Sequence, residues 1–403
     1  MVIRDPDGGS SGSIEFLLNK QQLLARRSRK WGIYEPGVIA ACIADMDFRV
    51  APQVQASIVR NVEDNAYGYP LRDGDRADRT VAAAFATRMA ARFNWQVDPD
   101  RVLVLADLAQ AIYATLMAYS DPGDGVILQV PCYPPIREAI ASTGRGLIPL
   151  EMERTPDGHI FDLDKLAEAV GDGRARILLL CNPQNPTGRV FTRSELERVA
   201  EFADRHDLVI ISDEIHSDLV YAGSRHIPTA AVSPQALART VTLNSATKSF
   251  NIPGLRCAVA YFGTPALMHR FHARLPPRLT GAVNSLGIDA TVAAWSEGQP
   301  WLDVVLDHLH AMRDYVADAL RREFPDLRFH VPQASYLLWI DAGELALGEP
   351  AFDFFLREAR VGFSAGRDFH PGASNFIRMN FATSRAMVDE ILDRMARAVR
   401  ARA

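Results

Sequence analysis

Lys248 lies among hydroxyl groups, in a stretch whose residue types suit a phosphorylated carbonyl compound. The stretch LNSATKSFNIPGLR, residues 243–256, places Ser245 and Thr247 before this lysine and Arg256 eight residues after it. A lysine amine can bond covalently to a carbonyl carbon, and hydroxyl and guanidinium groups bind phosphate. On this stretch alone, a solvated surface lysine is an equal alternative, so the rest of the chain has to decide.

Two other polar segments also follow predicted buried strands. CNPQNPTG (181–188) follows ILLL, and SDEIHSDL (212–219) follows VII, just as the lysine stretch follows VTL. In open α/β sheets, ligands bind at the carboxyl ends of the strands. Each segment alone has an ordinary explanation: a Pro/Asn turn, a helix cap at Asp213, or a surface ion pair at Arg256. Their occurrence together predicts one shared site.

The three segments supply the groups that pyridoxal phosphate (PLP) requires. The cofactor needs a lysine for covalent attachment, a carboxylate beside the pyridine nitrogen and a hydrogen-bond donor to the phenolate oxygen. Lys248, Asp213 and Asn185 match these three roles in that order. The remaining cofactor contacts are predicted to come from Ser245, Thr247 and Arg256 at the phosphate, the helix N-terminus at Leu108 and Ala109, and Tyr133 stacked on the pyridine ring.

Alternating strand and helix patterns would position these residues. The apolar runs that predict strands lie at 102–106, 125–130, 146–150, 175–181, 208–212 and 257–262. Helices are predicted between them at 107–120, with Asp107 as N-cap, at 134–143, and at 192–207, where Thr192 and Glu195 have capping-box spacing. Continuous apolar strands that alternate with amphipathic helices predict an α/β fold with a mostly parallel central sheet.

The pattern changes towards the C-terminus and suggests a division into domains. Long helices are predicted at 281–297 and 300–324, followed by short strands and a last helix at 384–401, which is typical of a smaller α+β domain. We therefore expect an N-terminal tail and packing segment at 1–50, a large cofactor-binding domain at 51–295 and a small domain at 296–403. The polar stretch MVIRDPDGGSSGS (1–13) lacks the apolar run of a signal peptide and predicts a flexible tail.

The composition favours an ordinary cytoplasmic enzyme over a nucleic-acid or membrane protein. Hydrophobic residues make up 48% and charged residues 23% of the 403, and the net charge is −5. Mild acidity argues against a polyanionic partner, and no apolar run reaches the length of a membrane span. The four cysteines have apolar flanks and no metal-ligand spacing, which predicts buried free thiols and no metal site.

Specific motifs then link the chain to a known family. Over nearly its whole length it resembles the fold-type I, aspartate-aminotransferase-like PLP enzymes. More narrowly it resembles the cystathionine β-lyase-like C–S lyases of the MalY/PatB class. That narrower resemblance is carried by IADMDF (43–48), YGYP (67–70), NPQNPTGRVF (182–191), SDEIHSDLV (212–220), HIP (226–228), SATKSFNIPGLR (245–256), PWLD (300–303) and NFIRMNFA (375–382).

The resemblance implies further roles. Arg378 would grip the α-carboxylate of an amino-acid substrate, with Asn185 beside it, and His216 would stand near the cofactor where ordinary aminotransferases have tyrosine. Tyr69, or Tyr67 in its place, would reach the neighbouring subunit of a homodimer with shared active sites. Asp45 would border the substrate. An equal alternative is that Asp45 and Asp47 only hold their loop in place.

Two departures from the relatives' pattern bear on the site. Asp107 stands where many relatives have a Gly-containing phosphate turn, and a carboxylate there would repel phosphate, so we expect it to be a cap turned aside. The segment QLLARRSRKWGIYEPGVIAAC (22–42) is also unusual for the group and should border the substrate entrance. It suggests a specialised sulfur-containing substrate.

The implied reaction is β-elimination from cystathionine or another cysteine S-conjugate, which yields a thiol, pyruvate and ammonia. The motifs leave open an aminotransferase, which uses the same lysine and electron sink. They also leave open a decarboxylation coupled to deamination of a cysteine conjugate, and a non-catalytic regulatory protein on the same fold. The intact Lys248, Asp213 and Arg378 argue against the last of these.

Overall fold

The computed structural model describes residues 16–72, 74–155, 158–170 and 173–402. The tail predicted at 1–13 lies outside these ranges. The strands are β1 Ile39–Ala40, β2 Leu71–Arg72, β3 Asp75–Arg76, β4 Val102–Leu105, β5 Gly125–Val130, β6 Gly146–Thr155, β7 Gly158–Phe161, β8 Ala175–Cys181, β9 Val209–Asp213, β10 Thr240–Asn244, β11 Ala258–Phe262, β12 Arg328–Phe329, β13 Leu337–Asp341, β14 Val361–Gly362, β15 Ser364–Ala365 and β16 Phe376–Asn380.

Helices cover these strands and connect them. They are α1 Lys20–Leu24, α2 Arg29–Gly32, α3 Pro52–Glu63, α4 Ala77–Phe93, α5 Leu108–Tyr119, α6 Pro134–Ser142, α7 Leu163–Ala169, α8 Arg193–Arg205, α9 Pro234–Arg239, α10 Pro265–Arg274, α11 Pro277–Thr280, α12 Ser285–Glu297, α13 Gln299–Glu323, α14 Ala351–Phe354, α15 Gly366–Phe369 and α16 Arg385–Arg400. Within the described ranges, no helix has both the length and the apolar character needed to cross a membrane.

An eight-stranded sheet forms the centre of the larger part of the protein. Its strand order is β4-β11-β10-β9-β8-β5-β6-β7, and only β11 and β7 run antiparallel to their neighbours. Strands β5, β9 and β10 are buried along their whole length, because helices pack on both faces of the sheet. The predicted α/β fold with a mostly parallel central sheet is confirmed.

A four-stranded antiparallel sheet, ordered β12-β13-β16-β15, lies in the C-terminal part. The long helices α13 and α16 contribute buried apolar faces to the same core as this sheet. The segment Phe355–Ala359 continues α14 as a π-helix. The domain boundaries near residues 50 and 295 stay a prediction.

Local capping follows the sequence signals. Asp107 caps α5 by accepting a hydrogen bond from the backbone N–H of Gln110 at 2.7 Å. Thr192 and Glu195 form the predicted capping box at the start of α8. These caps fix where α5 and α8 begin, directly beside the sheet edge that carries the polar segments.

Candidate active site

Four predicted residues meet at one edge of the central sheet. Asp213 is the last residue of β9, and Asn185, Lys248 and Tyr133 follow β8, β10 and β5. The order β10-β9-β8-β5 makes these strands neighbours, and they all run parallel. The register pairs Asp213 with Leu243 on one side and with Cys181 on the other, so the polar segments begin at the same level.

The sheet edge opens into a cavity of about 530 Å³, which is within the usual range for a small-molecule site. The predicted site residues that line it are Leu108, Ala109, Tyr133, Asn185, Asp213, His216, Thr247, Lys248, Arg256 and Arg378. Three others, Asp45, Tyr69 and Ser245, lie outside the cavity lining.

The amine of Lys248 points to the backbone of the loop at 43–48. Its Nζ donates a hydrogen bond to the carbonyl oxygen of Ala44 at 2.9 Å. Burial lowers the pKa of the amine to about 8, and the nearby carboxylates of Asp45 and Asp213 only partly oppose this shift. This amine therefore loses its proton far more readily near neutral pH than an ordinary lysine does, as a nucleophile or a base requires.

The carboxyl group of Asp213 is buried, and few interactions offset the cost of burying its charge. Its Oδ1 accepts one hydrogen bond, from the backbone N–H of Ile215 at 3.1 Å, and no cation lies within ion-pairing distance among the described residues. Burial therefore raises the pKa of this carboxyl to about 7. Burial, reinforced by the charges of Lys248 and Arg378, lowers the pKa of the neighbouring His216 to about 3, so its imidazole is neutral.

Arg378 reaches the cavity from the smaller sheet. It lies on β16 opposite Ser364 of β15, and its guanidinium donates to Asn185 Oδ1 at 2.9 Å and to Ser364 Oγ at 3.1 Å. The guanidinium also stands 4.7 Å from the centre of the Phe369 ring. Burial lowers its pKa to about 10, which leaves it charged at neutral pH. Its buried Nε has no hydrogen-bond partner among the described residues, so donor capacity remains.

The predicted phosphate end contains a pre-existing ion pair. Arg256 and the N-cap Asp107 form a salt bridge through Nη1 and Oδ2. Thr247 lines the cavity beside them, whereas Ser245 is buried behind it, donates to the carbonyl oxygen of Cys257 at 2.6 Å and lies 2.8 Å from Thr247 Oγ1. Ser245 thus shapes the loop. Leu108 and Ala109 also line the cavity, and their backbone N–H groups have no partner within the helix because they belong to the first turn of α5.

The loop at 43–48 is held from several sides. The buried Asp47 forms an ion pair with the buried Lys30 at 3.0 Å and accepts from Trp31 Nε1 at 2.7 Å. Asn380 donates to the carbonyl oxygens of Ile43 and Asp45, at 2.7 and 2.8 Å. Asp47 therefore holds the loop, while burial raises the pKa of the Asp45 carboxyl, and the charges of Lys30 and Lys248 oppose that rise.

The sequence profile described as aminotransferase class I and II matches residues 69–395, which is most of the chain. The chain belongs to this family. PatB of Bacillus subtilis, a cystathionine beta-lyase, is 28% identical to it over 94% of this chain and 98% of PatB. The predicted resemblance to the MalY/PatB group is confirmed.

Solved structures are similar to this protein over nearly the full length of the chain. The crystal structure of OvoB superimposes with a TM-score of 0.88 at 36% identity, covering 96% of this chain and 99% of that one. The PLP-bound C–S lyase from Staphylococcus hominis superimposes with a TM-score of 0.87 at 25% identity, covering 95% and 99%. The fold-type I architecture predicted from the sequence is therefore confirmed.

The buried groups of this family member fit the cofactor that its relative binds. Asp213 is a carboxylate that lacks a cation, which the protonated pyridine nitrogen of PLP would provide. Lys248 is an amine of lowered pKa in the same cavity, and the Nδ1 of His216 is buried without a partner among the described residues. A cofactor with a cationic ring nitrogen, an aldehyde and polar ring substituents matches this donor set.

Several side chains around the cavity were not predicted from the sequence to be site residues. Ser364 and Phe369 hold the Arg378 guanidinium, and Arg29 and Asp368 line the opening. Ser364 belongs to the two-residue strand β15, and Asp368 and Phe369 belong to the four-residue helix α15; both elements are too short to show a periodicity in the sequence. Arg29 lies in the segment 22–42, which was expected from the sequence to border the substrate entrance. Its position in that segment was therefore the one indication that it lines the cavity. Tyr336 and Trp339 are buried core residues.

Proposed function

We propose that this protein is a PLP-dependent carbon–sulfur β-lyase that acts on cystathionine or another cysteine S-conjugate. The observation that carries the proposal is the joint lining of one cavity by Lys248, Asp213, Asn185 and Arg378. Full-length similarity to a cystathionine beta-lyase and to a PLP-bound C–S lyase supports the choice of reaction. The overall change converts R–S–CH₂–CH(NH₃⁺)–COO⁻ and water into R–SH, pyruvate and ammonium.

In this proposal the cofactor is held by residues at both ends of the cavity. Lys248 binds it covalently, Asp213 pairs with its ring nitrogen, and Asn185 donates to its phenolate oxygen. The phosphate is bound by Thr247, Arg256 and the backbone N–H groups of Leu108 and Ala109, with Ser245 fixing the loop. Tyr133 stacks on the ring, and His216 provides a neutral imidazole beside it.

The protein's own groups then handle the substrate and its protons. When bound, PLP withdraws electrons from the substrate Cα, which makes the Cα proton acidic. Arg378 binds the α-carboxylate and fixes the orientation of the Cα–H bond, and its hydrogen bonds to Asn185 and Ser364 restrict its movement. Once the substrate amine has replaced it on the cofactor, Lys248 Nζ would be a free amine, and its lowered pKa suits it to remove that proton, after which the β-thiolate would depart.

We further propose that the active enzyme is a cytoplasmic homodimer with shared sites. Tyr69 is fully exposed and Tyr67 is largely exposed in the single chain, although both belong to the YGYP motif (67–70). In the dimer, a neighbouring subunit would cover these rings. Tyr69 would then reach the phosphate of the cofactor that the neighbouring subunit binds. The four cysteines, which are all buried free thiols, suit a reducing compartment.

The experiment that tests the function is a product assay. L-cystathionine is added to the PLP-loaded protein without any keto acid, and free thiol and pyruvate are measured. Continuous release of both in equal amounts supports the lyase. One half-turnover, with the cofactor converted to its amine form and restored by a keto acid, would indicate an aminotransferase.

A lysine variant tests the residue assignment separately. Lys248→Ala should abolish turnover and also prevent the mass increase that borohydride reduction of the PLP-loaded protein produces. Lys165→Ala removes an exposed lysine that pairs with Glu153 and should leave both readouts unchanged. Retention of the covalent adduct in Lys248→Ala would contradict the assignment.

A further inference from the structure

The turn that carries Lys248 has one face towards the cavity and another towards the protein interior. The backbone N–H of Phe250 donates a hydrogen bond to the carbonyl oxygen of Ala246 at 2.9 Å and so closes the turn. Lys248 lines the cavity, whereas the next two side chains, Ser249 and Phe250, are fully buried and lie outside the cavity lining. The contacts of these two side chains therefore help to decide where the Lys248 amine stands.

A buried ion pair lies against both of these side chains. Arg88 of α4 and Asp218 pair through two contacts, from Arg88 Nη2 to Asp218 Oδ1 at 2.8 Å and from Arg88 Nε to Asp218 Oδ2 at 3.0 Å. Asp218 Oδ2 also accepts a hydrogen bond from Ser249 Oγ at 3.4 Å. The Arg88 guanidinium lies 5.3 Å from the centre of the Phe250 ring, within the range of a cation–π interaction. The ion pair thus contacts the lysine turn at two successive residues.

The PWLD motif and the glutamine before it hold this cluster from another side. Gln299 Oε1 accepts a hydrogen bond from Arg88 Nη2 at 3.1 Å, and Gln299 Nε2 donates to Asp303 Oδ1 at 2.6 Å. Trp301 stacks on Phe250, with the ring centres 6.0 Å apart and an angle of 24° between the ring planes. The guanidinium of Arg88 is therefore fixed by a carboxylate, an amide and an aromatic ring that come from three different motifs of the sequence.

The position of the ion pair indicates a use beyond stability. A buried ion pair adds little net stability, because the removal of both charges from water offsets most of their attraction. Asp218 follows Asp213 by five residues, so one short segment brings a carboxylate to the cavity and a second carboxylate to the buried face of the lysine turn. The placement of Lys248 is thereby linked to that of Asp213.

We propose that Arg88 and Asp218 form a positioning pair for Lys248, which keeps the amine directed into the cavity. The pair acts through Ser249 and Phe250, and neither of its members lines the cavity. This inference rests on the proposed attachment of PLP to Lys248. Attachment forms a bond between Nζ and the aldehyde carbon of PLP and releases the aldehyde oxygen as water, so its rate depends on where the amine stands.

The test separates the covalent attachment of the cofactor from its binding. Stopped-flow absorbance on the cofactor-free protein gives the first-order rate of attachment at saturating PLP. Pyridoxamine phosphate has no aldehyde and cannot be attached, so its Kd reports on the cavity alone. Denaturant unfolding of each variant gives the loss of stability, which is the effect that a merely structural role would produce.

The variants are chosen with matched controls. Asp218→Asn and Arg88→Gln each remove one charge of the pair, and Ser249→Ala removes a single long hydrogen bond and should leave the fold intact. Arg145→Gln is the control for Arg88→Gln, because it changes a buried guanidinium that bonds elsewhere in the chain. Ser57→Ala is the control for Ser249→Ala, because it removes a buried hydroxyl that bonds to a backbone carbonyl within α3.

We expect the rate of attachment to change without a matching change in affinity. Asp218→Asn and Arg88→Gln should slow attachment by about tenfold or more, and Ser249→Ala should slow it by about threefold, because a displaced amine reaches the aldehyde carbon less often. The Kd for pyridoxamine phosphate should stay close to that of the wild type in all three. Arg145→Gln should lose stability as Arg88→Gln does, yet it and Ser57→Ala should attach PLP at the rate of the wild type.

The positioning pair and the proposed function fail in different ways. An attachment rate that follows the loss of stability across all five variants, or that is unchanged in the first three, would overturn the positioning role. A loss of affinity for pyridoxamine phosphate as large as the loss of rate would also overturn it. If the wild type attaches no PLP, the proposed function itself fails. If the wild type attaches PLP but releases no thiol from L-cystathionine, the lyase reaction fails while the positioning pair stands.

Discussion

Arg378 on the smaller sheet and Asn185 after β8 are joined by a 2.9 Å hydrogen bond across 193 residues of sequence. The bond links the group proposed to bind the substrate carboxylate with the group proposed to touch the cofactor ring. Each therefore restricts the other, and in the proposed function this bond would position the substrate carboxylate relative to the cofactor ring.

Loss of this guanidinium should weaken the recognition of the α-carboxylate. Arg378→Ala should lower kcat/KM for L-cystathionine by roughly 100-fold or more, because a charge-assisted bidentate contact is lost. Arg378→Lys should recover only part of the loss, since an ammonium cannot form the paired contact. Substrates that are amidated at the α-carboxylate serve as the control, and their kcat/KM should differ little between the wild type and the variants. Full activity of Arg378→Lys with L-cystathionine would contradict the proposed role of Arg378.

The salt bridge between Asp107 and Arg256 should compete with phosphate. Asp107→Asn removes the competing charge but keeps a good N-cap for α5, so the Kd for PLP should fall by roughly threefold to tenfold. Arg256→Gln should raise that Kd. Fluorescence titration of the cofactor-free protein measures both, and weaker binding by Asp107→Asn would show that the carboxylate supports the site.

The cofactor-free protein should carry a pH signature from Asp213. Burial raises the pKa of this carboxyl to about 7, so the folded state holds the proton more tightly than the unfolded chain does. The stability it contributes is fully present below about pH 4 and is lost as the pH rises through about 7.

Thermal unfolding of the cofactor-free protein across this window checks the effect. Asp213→Asn removes the titrating group at nearly constant shape. Its Tm relative to the wild type should therefore increase between about pH 4 and pH 7. The exposed-site variant Asp326→Asn should show no such trend, and a parallel pH dependence in wild type and Asp213→Asn would refute the expectation.

The ion pair between Lys30 and Asp47 should matter for stability because both partners are buried. Lys30→Met leaves the Asp47 charge uncompensated in the loop that faces Lys248, and the free energy of unfolding should fall by about 3 kcal/mol. Lys20→Met breaks the exposed pair with Glu390 and should cost less than about 1 kcal/mol. Denaturant unfolding compares the two variants, and equal losses would contradict the argument from burial.

The sequence by itself determined the parallel sheet and its polar edge. Apolar runs such as 125–130 and 208–212 can be satisfied only by burial on both faces, and parallel strands bring their carboxyl ends to one side. Asp213, Asn185 and Lys248 were therefore predictable, because each lies at or within a few residues of the carboxyl end of a buried strand. The caps at Asp107 and Thr192 were equally local, since they depend on contacts within one turn.

The tertiary structure alone decided what the remaining side chains contact. Ser245 stands two residues from Thr247 yet is buried behind it, because its hydroxyl is taken by the carbonyl of Cys257. Asp107 pairs with Arg256 across 149 residues of sequence, and Arg29 and Asp368 line the same cavity although they lie near opposite ends of the chain. Side-chain partners at such separations depend on how helices and sheets pack, which no local pattern of residue types records.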